Sequence, residues 1–284
     1  MAVSRSASAI FSGGRDRAMV MTALSRYTVN AYNSAHDSEN KIHDDTVASR
    51  FGFRGGLVPG VDVYGYMTHL PVARFGRAWL ERGAATCRFV KPVYDGEDAT
   101  VTASETANEL DLRVESRGEL CATGAASLPD QPPAPPDLGD GAAPRPAATR
   151  VPADEVSLAI GTRFGMTPLR VTPDVAARYL ADLRETEPLY AREGVVHPGL
   201  ILRTCNWALM HNVILGPWIH VGSTIRHFAA ARVGEELSLR ARVAANYERK
   251  GHRFVELDAV VVSDARKPIA HIGHTAIYRP RQVW

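Results

Sequence analysis

Long apolar runs are missing from this chain of 284 residues: none approaches the 18 or so that a membrane-spanning helix requires. Cysteine is scarce. Cys87, Cys121 and Cys205 lie far apart with no CxxC pair, which excludes a disulfide framework or a zinc ribbon and fits a reducing compartment. An excess of one charge is missing too. Lys and Arg total 33 against 31 Asp and Glu, a formal net charge of +2, so there is no basic field of the kind nucleic acid or an anionic membrane calls for. Neither Gly-x-Ser-x-Gly, nor a P-loop, nor a dinucleotide-binding glycine fingerprint occurs. Residues 1–17 carry Arg5, Arg15 and Arg17 but only Ala9, Ile10 and Phe11 as an apolar patch, short of the roughly 7–15 residues of a secretory signal core. These absences predict a soluble, cytoplasmic protein with a flexible extension at 1–20. What is present, 45% hydrophobic and 23% charged residues, is ordinary globular composition.

The length suits two units of about 130–140 residues, and a boundary is visible between them. Seven of the 18 prolines fall in PDQPPAPPDLGDGAAPRPAATR, 129–150, among alanine and glycine. Such a stretch buries too little surface to offset its ordering entropy, and reads as a linker. It separates a first unit at 21–128 from a second at 151–284, and the two share a layout. Val58-Pro59-Gly60 opens an apolar segment followed by TCRFVKPVYDGED; His197-Pro198-Gly199 opens another followed by TIRHFAAARVGEE. A shift of 138 or 139 residues pairs Pro59 with Pro198, Gly60 with Gly199, Arg88 with Arg226, Gly96 with Gly234 and Glu97 with Glu235. This is a two-copy duplication rather than a solenoid.

Each copy reads helix first, then strands. Residues 199–215 are apolar on nearly every face, as in a buried helix. Residues 60–82 read likewise, with Pro71 expected to kink or divide them. After each helix the period changes to two: Leu237, Leu239, Ala241 and Val243 alternate with polar residues. Further strands are predicted near 84–91, 97–106, 109–117, 119–128, 253–263 and 268–278. The order implies an α+β arrangement: a central helix wrapped by a curved antiparallel sheet, twice over. His271 and His274 form HxxH, but an i, i+3 pair on a strand points to opposite faces and makes a poor metal site. Cys205, on the apolar helix, reads as a packing thiol.

The chemistry-bearing segment precedes the first apolar helix: HDSENKIHDDTVASRFGFRGGLVPG, 36–60. It resembles the hydratase motif of the MaoC-like, (R)-specific enoyl-thioester hydratases. That motif runs Gly-Asp-x-Asn-Pro-(Ile/Leu)-His-x-Asp, then a short helix, a Gly-Phe turn and a glycine that starts the central helix. Asn40, Ile42, His43 and Asp45 fall on family positions, as do Gly52-Phe53 and Gly60, and RFVKPVYDGE at 88–97 is similar to the family's strand-and-turn segment. The family's catalytic aspartate sits five residues before the histidine. Ser38 stands there in this chain, Asp37 lies one residue early, and Lys41 replaces the proline. Either a one-residue bulge carries Asp37 into place, or Ser38 occupies the site and the base is missing.

The resemblance implies a double hot-dog fold with the two sheets joined edge to edge. It implies a hydratase or dehydratase acting on a 2-enoyl or 3-hydroxyacyl thioester of coenzyme A or acyl carrier protein, in fatty acid or polyketide metabolism. Proton transfer and a polarised carbonyl suffice for that reaction, so no cofactor and no metal are expected, and further association into a homodimer is compatible with the duplication. The site residues carried over are His43 with Asp37 or Ser38 as acid–base groups, Asn40 holding the loop, and Gly60 presenting a helix N-terminal N–H to the thioester oxygen. Read without the resemblance, His43 packs beside Asp44 and Asp45, Asp37 is a solvated carboxylate, Asn40 closes a turn and Gly60 starts a helix. The second unit has no dyad: in ETEPLYAREGVVHPG, Tyr190 stands in the histidine's place. Tyr190, His197 and Gly199 are therefore expected to shape the acyl-binding side, although His197 also suits a helix cap. Thioester hydrolysis, a tailoring elimination or cyclisation, and a non-catalytic thioester-binding role are the alternatives.

Overall fold

A computed structural model describes residues 22–23, 26–106, 108–139, 142–264 and 266–281; the expectation for residues 1–20 lies outside them. The first half runs Tyr27–Asn30 (β1), a loop with a 3-10 turn at Lys41–His43, Asp45–Ser49 (α1), Gly60–Phe75 (α2), Arg77–Arg82 (α3), Ala84–Phe89 (β2), Asp98–Thr106 (β3), Glu109–Ser116 (β4) and Glu119–Ser127 (β5). The second runs Pro173–Leu183 (α4), Leu189–Glu193 (α5), Pro198–Met210 (α6), Ile219–His227 (β6), Glu236–Arg249 (β7), His252–Ser263 (β8) and Pro268–Arg279 (β9).

Alternation in the strands sets which face is covered. In β4, Leu110, Leu112 and Val114 are buried while Glu109, Asp111 and Arg113 face water; in β7, Leu237, Leu239, Ala241 and Val243 are buried. The covering layer is the helices. From Val61 to Val72 every residue of α2 except His69 is buried, which is why its sequence shows no polar face. Two helix boundaries differ from expectation. The segment 60–82 does divide, but at Gly76, five residues beyond Pro71. The helix expected to reach 215 stops at Met210, because the Asn212 amide donates to the Ala208 and Gly165 carbonyls (2.7 and 2.6 Å).

The strands form one continuous antiparallel sheet in the order β3-β4-β5-β2-β6-β9-β8-β7, with β1 pairing with β3. The halves meet at β2–β6, where Thr86 lies opposite Thr224. These two residues occupy equivalent positions of the sequence repeat, so their pairing places a pseudo-two-fold axis through the seam. The chain therefore has the double hot-dog architecture expected from its duplication. The described parts of 129–150 run as coil, tied down by Arg82 to the Pro129 carbonyl and Arg266 to the Gly139 carbonyl.

The central helices are joined by a buried ion pair. Asp62 of α2 accepts from the Arg203 guanidinium of α6, from Ser34 Oγ and from the Tyr179 hydroxyl of α4, and Arg203 lies over the Tyr179 ring at 4.8 Å. Removing one partner leaves an uncompensated charge away from water. Arg203→Leu should lower stability by about 3–5 kcal/mol, measured by denaturant unfolding, and Asp62→Leu in the same chain should recover most of that loss.

Candidate active site

The loop between β1 and α2 is held from three sides. The Asn33 amide donates to the His43 carbonyl (3.0 Å), the Gly56 N–H donates to Asp45 Oδ1 (2.7 Å), and Asp44 caps α1 through the Val47 N–H (3.0 Å). Asn40, buried, ties this loop to the other half. Its Oδ1 accepts the Trp218 N–H at 3.1 Å and its Nδ2 donates to the Trp218 carbonyl at 3.0 Å. That two-point match with a backbone fixes which end of the amide is nitrogen. The second hydrogen of Nδ2 is then left for His43 Nε2, 3.3 Å away.

His43 is thereby fixed in one tautomer. Its Nδ1–H donates to the Leu57 carbonyl at 2.6 Å, so Nε2 carries the lone pair. Burial lowers its pKa, opposed by the Leu57 carbonyl. The imidazole is thus neutral near pH 7, its lone pair on Nε2 engaged by the long contact from the Asn40 amide.

Asn40, His43 and Gly60 line one cavity of about 200 Å³. Apolar walls come from Ile42, Phe53, Val58, Val63, Phe89 and Val93, and the second half contributes Asn206, Trp218 and His220. Those last three carry buried polar atoms with no hydrogen-bond partner: Asn206 Oδ1, Trp218 Nε1 and His220 Nδ1. At the floor, α2 begins at Gly60 with no side-chain cap; the Asp62 and Val63 N–H groups bond the Pro59 carbonyl, which leaves those of Gly60 and Val61 without an intrahelical acceptor. A Cβ on Gly60 would stand 2.9 Å from His220 Nδ1 and 3.1 Å from Phe89 Cε2, so only glycine leaves that approach open.

Other residues singled out from the sequence are not brought to this cavity. Asp37 is exposed and pairs with His36 at 2.8 Å. The Ser38 hydroxyl donates to the Asn40 carbonyl at 3.3 Å, and Ser38 is not in the cavity lining. Tyr190, His197 and Gly199 belong to a separate buried cluster. His197 caps α6, its Nδ1 accepting from the Gly199 N–H at 3.1 Å, and its Nε2 lies 3.5 Å from Glu185. Burial opposes ionisation of Glu185, but His197 and His69 beside it outweigh burial and hold its carboxyl well below the usual range. Gly199 is a packing glycine: a Cβ there would collide with the Tyr179 hydroxyl at 2.4 Å and approach Gly65 Cα at 3.2 Å.

Asn206, Trp218 and His220 were not legible from motif or spacing. His271 and His274 do face opposite ways, the first exposed against Asp258 and the second buried. Among the described residues, no three His, Cys, Asp or Glu side chains converge where a metal ion would sit, and no helix is long and apolar enough to cross a membrane.

No family model matches the sequence, and no curated protein matches it significantly. Solved structures do share its fold. A chain described as a MaoC domain protein dehydratase from Chloroflexus aurantiacus J-10-fl superposes with a TM-score of 0.63 at 13% identity, over 92% of this chain and 96% of that one. A conserved protein of Mycobacterium tuberculosis, described as having a double hotdog fold, gives 0.60 at 15% identity over 89% and 95%. A MaoC-like dehydratase gives 0.58 at 9% over 93% and 99%. The fold that this chain shares with them is the double hot-dog, over 89–93% of its length.

Burial depresses further histidines on the inner face of the sheet, His274 to about 3 and His227 to about 4. Between those values and the unfolded value near 6.5, the unfolded chain binds protons that the folded chain refuses. Stability should thus fall as pH drops below about 6.5, by roughly 1.4 kcal/mol per pH unit for each such histidine. His227→Phe, which keeps a ring against Trp79, should flatten that slope by one proton's worth in denaturant titrations run at several pH values.

Proposed function

We propose that this protein adds water to a 2-enoyl thioester, or removes it from a 3-hydroxyacyl thioester, carried on coenzyme A or acyl carrier protein. The observation that carries this reading is an uncapped helix N-terminus opening on an apolar cavity beside a neutral, tautomer-fixed histidine. Hydration needs a group that takes a proton and a site for the negative charge that moves onto the thioester oxygen. His43 Nε2 suits the first and the Gly60 N–H the second.

On this reading the acyl group lies in the cavity with its carbonyl oxygen toward Gly60. His43 Nε2, giving up the long hydrogen bond from the Asn40 amide, takes a proton from water as the oxygen bonds to Cβ, and the π pair shifts through Cα onto the thioester oxygen. The imidazolium then returns its proton to Cα as the pair moves back, leaving His43 neutral. With Asp37 in solvent and Ser38 turned to the backbone, one base performs both transfers. The cavity lies below the roughly 300–1,000 Å³ of drug-sized sites, which supports a short acyl group.

The test is loss of the conjugated enoyl absorbance of crotonyl-CoA, run beside a thiol-release assay and repeated with a long-chain enoyl-CoA. Hydration of the short substrate is expected. Thiol release without hydration would mean thioester hydrolysis, and silence in both would favour a binding role. His43→Ala should lower turnover by about 10²-fold or more with unfolding unchanged, whereas Asp37→Asn should leave turnover as it is.

A further inference from the structure

We propose that His220, from the second half of the chain, is a catalytic residue of the site: its Nδ1–H is the second hydrogen-bond donor, beside the Gly60 N–H, to the carbonyl oxygen of the bound thioester. The assignment rests on the reaction proposed above and adds a group that neither the motif nor the duplication indicates.

Geometry carries it. His220 is buried and lines the cavity, and its Nδ1 has no partner. That nitrogen is the atom a Cβ on Gly60 would strike first, at 2.9 Å, so it stands at the open end of α2 where a carbonyl oxygen would rest. Behind it runs a chain of hydrogen bonds. His220 Nε2 lies 2.9 Å from Ser223 Oγ, which lies 3.1 Å from His274 Nδ1, and the two imidazoles stack at 4.1 Å. A bulge between His220 and Gly222 brings His220 and Ser223 to the same face, and Ser223 pairs directly with His274 on β9.

Two proton arrangements satisfy this chain. In one, His220 donates through Nε2 to Ser223, Ser223 donates to His274, and the His274 Nε2–H is left buried with no acceptor. In the other, His274 Nδ1–H donates to Ser223, Ser223 donates to His220 Nε2, and the proton of His220 sits on Nδ1, toward the cavity. Each arrangement leaves one buried N–H without an acceptor; only the second places it at the cavity, where a bound carbonyl oxygen would satisfy it, so the second is the one a bound thioester selects. Burial and the neighbouring His274, opposed by the Gly222 carbonyl, also keep His220 neutral, and a neutral imidazole at a helix N-terminus is a suitable donor to a developing oxyanion. His220 then neither gains nor loses a proton. As the π pair shifts onto oxygen its hydrogen bond shortens, and it relaxes when Cα takes the proton held by His43. Ser223 and His274 are positioning residues.

The probe is butyryl-CoA labelled with ¹³C at the carbonyl, which binds without reacting, observed by difference infrared and paired with crotonyl-CoA kinetics. In the wild-type protein the bound carbonyl stretch should move to lower frequency. His220→Phe should return it toward its solution value and lower kcat by about 10²–10³-fold, with KM changed little. His220→Asn, whose amide lies where Nδ1 was, should recover about tenfold or more of that loss, and Ser223→Ala should lose about tenfold. A His220→Phe protein that keeps the shift and the turnover overturns the assignment and leaves the hydration reading standing. A shift that vanishes in His220→Phe, in a wild type that hydrates no enoyl thioester, overturns the reaction and upholds the donor. A wild type that binds no thioester overturns both. Should His220→Phe fail to fold, unchanged stretch and turnover in both His220→Asn and Ser223→Ala overturn the proposal.

Discussion

The pairing of β2 with β6 is the constraint on which the rest of the molecule depends. It makes two sheets into one, with Thr86 opposite Thr224 at the pseudo-axis. It also sets the start of β6 against the end of β2, so Trp218 to His220 reach the N-terminus of a helix that belongs to the other half. The Asn40–Trp218 clamp closes the same contact from the loop side. A strand register that slipped by one residue would turn every side chain of β6 to the opposite face. The cavity would then lose its second wall while the helices stayed where they are.

Two helix N-termini related by the duplication have opposite fates, and one residue separates them. Val58 precedes Pro59 and Gly60; His197 precedes Pro198 and Gly199. The imidazole of His197 turns back to accept the Gly199 N–H, meeting within the chain the demand that every helix N-terminus makes. Tyr179 and Gly65 fill the remaining space. Valine has no acceptor to turn back, so α2 keeps the Gly60 and Val61 N–H groups, and its partial positive charge, for the cavity. On the proposed reaction, an asymmetry between the halves would follow from this difference in capping as much as from the absent histidine at Tyr190.

What the sequence made legible was whatever repeats or alternates. The 138-residue spacing foretold the duplication and, with it, two sheets joined edge to edge, though not which strands would meet, and the buried central helices followed from their lack of a polar face. Within the site, His43, Asn40 and Gly60 were legible because they sit on one loop in a fixed order. His220 was not, for two physical reasons. It reaches the cavity across the seam, far from the loop in sequence, and the bulge beside it breaks the alternation by which a strand residue's face is read. The question posed by Ser38 and Asp37 was also beyond the sequence, since it turned on whether a loop took up one extra residue; the loop instead leaves Asp37 paired with His36 in solvent. Tyr190, His197 and Gly199 were singled out by symmetry with the first half, and their packing against Glu185, Tyr179 and Gly65 depends on contacts between helices that no local pattern encodes.

The buried carboxylates show why a cavity without a carboxylate in its lining is chemically coherent. Glu185 is held by two imidazoles and two backbone N–H groups, and Asp62 by an arginine, a serine and a tyrosine. Each carboxylate in the interior has its charge answered on the spot, as the low dielectric requires. Lys91, the one cation among the described residues that line the cavity, is exposed and already paired with Glu119 at 2.6 Å, so a carboxylate placed deeper would have to be protonated or partnered. Neutral imidazoles escape that demand. Lowering the pKa of His43 makes it a weaker base toward water but makes its imidazolium a stronger acid. On the proposed reaction the imidazolium stands beside an enolate, near the positive end of α2, so both the burial and the helix dipole press it to surrender the proton to Cα. Burial that hinders the first proton transfer thus favours the second. The uncapped helix end also lowers the barrier to the first by stabilising the enolate, so it offsets, in that half of the reaction, what burial costs there.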